Sequence, residues 1–180
     1  MSKTNEKYNE VFLCVMGMLI AVEIVLERLL AVNLLTFKIN IAFVAVAVAA
    51  YLYGPIGGAI CYGLGDVIGT LVIPTSGGSY NPLFTLTCVL VGILYGVCLK
   101  GNPSWWRIAL ASLLARTVGT LGLNTLWISL FFTKAKVWSW GIFYSRLPEA
   151  GIMFAAELII LLPLFLGGKS WMNHIRSLTK

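Results

Sequence analysis

The chain has 180 residues, 59% of them hydrophobic and 11% charged, with a formal net charge of +6 and a mean hydropathy of +0.89. Soluble domains carry about 25% charged residues, so a water-soluble fold is excluded and one compact membrane domain remains. Cys14, Cys61, Cys88 and Cys98 sit in apolar stretches without CxxC or Cys/His spacing, and the only histidine is His174, which argues against a metal site or a disulfide framework.

Residues 1–10 are polar and short. Val11–Val32 is apolar, about twice the length of a signal-peptide core and followed by no small-residue cleavage site, so it reads as a retained span. Further apolar runs at 40–53, 56–73, 82–99, 106–132 and 145–167 complete an expected all-α bundle of six transmembrane helices. Tyr53-Gly54-Pro55 makes the second connection very tight. Lys100 to Ser104 separates spans four and five, with Pro103 suited to a helix start. Residues 11–168 form the expected membrane domain, with 1–10 and 169–180 as cytoplasmic ends.

An even number of spans puts both termini on one side. Placing them inside gives seven inner basic residues (Lys3, Lys7, Lys100, Arg107, Lys169, Arg176, Lys180) against four outer ones (Lys38, Lys134, Lys136, Arg146), which favours cytoplasmic termini. The turns 34–40, 74–82 and 134–144 then face outside. Arg28, Lys38, Lys134, Lys136 and Arg146 gather at that mouth, where they either attract an anionic solute or snorkel to headgroups, Arg28 pairing locally with Glu27 or Glu23.

Glu23, Asp66, Arg116 and Glu157 fall near mid-membrane, where charges are costly and normally paired. Equal depth matches Asp66 with Arg116, and Arg116 could alternatively floor a binding cavity. Asn124 and Trp127 share a helix face, fit either to link helices or to grip a planar ligand by stacking and an amide hydrogen bond. Small residues recur at four-residue spacing, as Gly17/Ala21, Ala45/Ala49 and Gly57/Cys61/Gly65/Gly69; they allow close helix approach within the bundle or to a partner. The turn Pro74-Thr75-Ser76-Gly77-Gly78-Ser79-Tyr80-Asn81-Pro82 is a rigid polar segment of the kind that lines or caps a cavity. Walker, HExxH and GxSxG motifs are absent and the single histidine precludes a Ser/His/Asp set. Uptake would need ion coupling through Glu23, Asp66 or Glu157, or a partner ATPase; a membrane enzyme lacks its nucleophile and ligands.

Taken in order, Leu26-Glu27-Arg28, Thr36-Phe37-Lys38-Ile39-Asn40, Tyr53-Gly54-Pro55, Gly65-Asp66, Pro74 through Thr85, Gly92-Ile93-Leu94-Tyr95-Gly96 and Leu123-Asn124-Thr125-Leu126-Trp127 resemble the S components of energy-coupling factor vitamin transporters. The closest resemblance is to their folate-specific branch, over residues 11–168. It implies a substrate-binding subunit in the bacterial cell membrane that captures one vitamin without ATPase activity, cofactor, metal or nucleic acid. A membrane T component and two ATP-binding subunits would drive release. It further implies a ligand site drawn from Arg28, Lys38, Tyr80, Asn81, Thr85, Asn124, Trp127 and Arg146, a gate moving at Gly77 and Gly78, and partner docking at Gly17 and Ala21. Lys38 stands where the family pattern has arginine, and Arg146 is followed by Leu-Pro-Glu. An S component for another vitamin shares all these features except the ligand.

Overall fold

Each apolar run becomes a helix because backbone polar groups in lipid must be satisfied within their own segment. The structure, a computed structural model, describes residues 3–33, 38–73, 80–101, 104–132 and 140–168. The first helix, α1 (Lys3–Ile24), runs into a wider π turn at Val25–Leu29. Phe12, Met16, Ile20 and Glu23 recur at helical spacing and turn inward, while Leu13, Gly17, Met18, Ala21 and Val22 are exposed. A two-residue antiparallel ladder follows, pairing β1 (Val32–Asn33) with β2 (Lys38–Ile39).

The element α2 (Phe43–Val72) is a helical hairpin. Gly54 carries φ 73 and ψ −155, a conformation that glycine reaches without a Cβ penalty, and Pro55 starts the returning half. A Cβ added at Gly58 would lie 3.2 Å from that of Ala50; in a straight helix, eight residues span about 12 Å. The expected tight turn between spans two and three is thus present. The first half carries Phe43, Ala45, Val46, Ala47, Ala49, Ala50 and Tyr51, all at most 4% exposed. It is apolar on every side because it is surrounded by protein.

The third helix, α3 (Pro82–Leu99), starts on an Asn81 cap whose side chain accepts from the Leu83 N–H at 3.1 Å. It crosses α2 at backbone contact: a Cβ on Gly92 would strike Gly58, and one on Gly96 would strike Pro55. The glycines of α2 therefore do their packing inside this bundle, Gly65 against the Glu23 carboxyl and Gly69 against Arg28. One rod then combines α4 (Trp105–Leu114), a π segment (Ala115–Asn124) and α5 (Thr125–Phe132). The last helix, α6 (Trp140–Leu162), extends through Pro163–Gly167. It begins at Trp140 rather than 145, with Trp140, Phe143 and Tyr144 forming an aromatic cluster at its head.

Among the described residues, three helices are long and apolar enough to cross a membrane: Phe43–Val72, Pro82–Leu99 and Trp140–Gly167. The chain is a membrane protein of the all-α class. Its core joins both halves of the bundle through Tyr51, Tyr95, Leu99, Ile108, Met153, Leu161 and Phe165.

Candidate functional site

At the end of the bundle where α1 finishes and α3 starts, five side chains form a hydrogen-bonded chain. Arg28, on the π turn, donates through Nη2 to Thr70 Oγ1 at 2.6 Å and faces Asp66 Oδ1 at 3.4 Å. Thr85 donates to the other oxygen of Asp66 at 2.6 Å. That spends its one hydroxyl proton, so at 3.2 Å it accepts from Tyr80 Oη. The polarity runs from Tyr80 through Thr85 to Asp66, which Arg28 meets from the opposite side. Asp66 thereby ties together the π turn after α1, α2 and α3.

The expected match of Asp66 with Arg116 does not form. Arg116 instead donates through both Nε and Nη2 to Glu157 Oε1 on α6. Counting from span ends gives a residue's height but not the direction it faces: Asp66 points to α1 and α3, Arg116 to α6. Two of the three acids that could serve ion coupling are thus engaged by arginines. The third, Glu23, is fully buried on α1, with its carboxyl against Gly65 and beside Glu27.

Between these two constellations runs a cleft. Trp127 donates its indole N–H to Thr87 Oγ1 at 3.1 Å, a crossbar joining α5 to α3, and Thr87 passes its own proton to the Leu83 carbonyl. Thr87, Cys88, Val91 and Tyr95 share the inward face of α3 and line the cleft, as do Phe43 and Tyr62 of α2 and Arg116, Thr120 and Asn124 of the π segment. Eight residues of helix put Tyr95 about 12 Å below Thr87. Arg116 and Tyr95 form the deep end, with Glu157 and Ser112 close behind them.

The residues expected at the site divide accordingly. Asn124 lines the cleft, and its Oδ1 is buried without a hydrogen bond. Trp127 braces the cleft through its N–H. Arg28, Tyr80 and Thr85 form the network at the mouth, and Asn81 caps α3. Arg146 lies on the α6 face that carries Ala150, Met153 and Glu157 inward. It is partly exposed and forms no ion pair among the described residues. Gly17 and Ala21 are exposed on α1. Gly77, Gly78, Lys134, Lys136 and the Lys38 side chain lie outside the described residues. The cleft also uses Tyr62, Tyr95 and Thr120, which sequence reasoning passed over; their signal was a ring or hydroxyl group set singly within an apolar run.

A family model for the ECF transporter substrate-specific component matches residues 11–166. The chain belongs to this family of S components. It is 31% identical over 148 residues to the folate transporter FolT of Clostridium novyi (strain NT), covering 81% of this chain and 83% of the relative. It is 30% identical over 125 residues to FolT of Leuconostoc mesenteroides subsp. mesenteroides, covering 68% and 66%. A crystal structure of FolT bound with folic acid matches at a TM-score of 0.75 and 32% identity, over 87% of this chain and 92% of that one. As an S component the chain is a transporter's substrate-binding subunit rather than an enzyme.

Proposed function

We propose that this S component binds folate for uptake across the bacterial cytoplasmic membrane. The observation that carries the reading is the likeness, in sequence and fold together, to a protein solved with folic acid. The six helical rods would cross the membrane with both termini inside, residues 11–168 forming the binding domain. ATP would be hydrolysed by two ATP-binding subunits acting through a membrane T component, with no cofactor or metal in this chain.

The geometry supports an orientation. Aromatic walls at Phe43, Tyr62 and Tyr95, set among the polar groups of Thr87, Arg116, Thr120 and Asn124, suit a flat heterocycle with hydrogen-bonding edges. Glu157 offsets the Arg116 charge at the deep end, so the two carboxylates of the glutamate tail suit the cations of the mouth. Arg28 is already engaged by Asp66 and Thr70, which makes Arg146, among the described residues, the mouth cation best placed to meet a carboxylate. It lies eleven residues, about 16 Å of helix, above Glu157 on the same face of α6. Asn124 would bond the ring's edge, Trp127 would hold the cleft in shape, and Lys38, Tyr80, Asn81, Thr85 and the Gly77–Gly78 turn would close over the tail.

Titration of the purified protein with folate, followed by tryptophan fluorescence, tests the reading. Saturable one-to-one binding without ATP or an ion gradient is expected, and no binding at micromolar folate would sink it. Arg146→Ala is expected to weaken folate about 10- to 100-fold, the worth of one charge-assisted hydrogen bond, yet to change little for pteroate, which lacks the tail. Equal losses for both ligands would remove Arg146 from the tail site. Proton- or sodium-dependent uptake by this chain alone would favour ion coupling instead.

A further inference from the structure

Arg116 uses Nε and Nη2 on Glu157 and makes no other hydrogen bond among the described residues. Its side chain is 19% exposed and lines the deep end of the cleft, and Nη1 is not among the buried unpartnered atoms. The remaining edge of the guanidinium therefore faces the cleft. A guanidinium has five N–H donors and no acceptor, so this edge can only donate. Glu157 cancels its charge from behind, so the floor offers hydrogen bonds without net charge and gives no advantage to a buried carboxylate. Higher up, Asn124 Oδ1 lines the same cleft and is buried without a partner. A donor-only floor complements a ring carbonyl.

We infer that Arg116 determines specificity at the floor of the cleft, donating to a ring carbonyl and rejecting ligands that present an amino group in its place. Glu157 acts through Arg116 as a positioning residue, fixing the guanidinium plane so that one edge stays turned to the ligand. The inference rests on the folate reading, since folate's pterin carries such a carbonyl at position 4. An amino group there sets donor against donor, leaving both unpaired in a buried site, the situation in which polar recognition discriminates most strongly.

The test compares folic acid with its 4-amino analogue, identical in tail, by competition on the purified full-length protein. The unmodified protein is expected to prefer folic acid by at least about tenfold. Arg116→Lys keeps a pure donor and should preserve that preference. The double variant Arg116→Gln/Glu157→Gln replaces the pair with two neutral amides that can rotate to offer an acceptor, and its preference should fall below about threefold. Equal binding of the two compounds by the unmodified protein overturns the inference without need of any variant, as does a double variant that discriminates as the unmodified protein does. If the unmodified protein binds neither compound, the folate reading falls and takes this inference with it; if it binds both alike, only the inference falls.

Discussion

Gly17→Leu is expected to leave folate binding within about twofold while cutting ATP-driven uptake by more than tenfold. A side chain built on Gly17 meets nothing within 4 Å in this protein, so leucine there strains nothing in the bundle. In a helix interior leucine is also favoured over glycine by close to 1 kcal/mol, so stability should hold or rise. Any loss must then come from outside the chain. Gly17 lies on an exposed face of α1 with Ala21, flanked by Met18 and Val22, and small residues of this kind let a second helix approach closely. The glycines of α2 provide the contrast, because Gly58, Gly65 and Gly69 already abut Gly92, Glu23 and Arg28. Of the three stripes read from the sequence, the one on α1 is therefore open to a partner and the two on α2 are spent internally. The measurement is folate uptake by vesicles holding this chain with a T component and two ATP-binding subunits, beside folate titration of the variant alone. Normal uptake would remove the docking role from this face and leave it to lipid.

The helices were legible because length and hydropathy decide them, and the sharp turn at Gly54-Pro55 because glycine reaches a positive φ freely and proline suits the start of the returning helix. Asn81 shows a local signal with a second use. Asn before Pro at the head of an apolar run is a helix-start pattern, and its side chain serves the backbone of Leu83. The partner of Asp66 was not legible. Height along a helix follows from counting, whereas the direction a side chain faces depends on how each rod is rotated, and the π turns at Val25–Leu29 and Ala115–Asn124 shift that rotation for Arg28 and Arg116. The same shift hid the cleft. Asn124 was read with Trp127 and Arg116 by its depth alone, and only the rod's rotation aligns both with Thr120, Tyr62 and Tyr95; the alternative of Arg116 at a cavity floor needed only depth and was within reach.

Glu157→Ala is expected to destabilise the protein by about 3–5 kcal/mol, the cost of leaving one member of a buried ion pair without the other. Glu157 is fully buried, and both bonding nitrogens of Arg116 depend on its Oε1. With alanine there, the guanidinium has neither its counter-ion nor water on that side, and it must drag solvent in or leave its place. The pair need not add stability in itself, because desolvating two ions offsets most of their attraction. That asymmetry makes the prediction sharp: the double substitution Arg116→Met/Glu157→Leu should recover stability to within about 1–2 kcal/mol of the unmodified protein, since matched apolar side chains leave nothing unpaired. Thermal unfolding in detergent, followed by tryptophan emission, reads both. Equal destabilisation by the single and double changes would mean that shape rather than charge compensation holds α6 to the π segment. If the double variant folds but binds folate weakly, the pair is maintained for what its open edge does in the cleft, at little benefit to the fold.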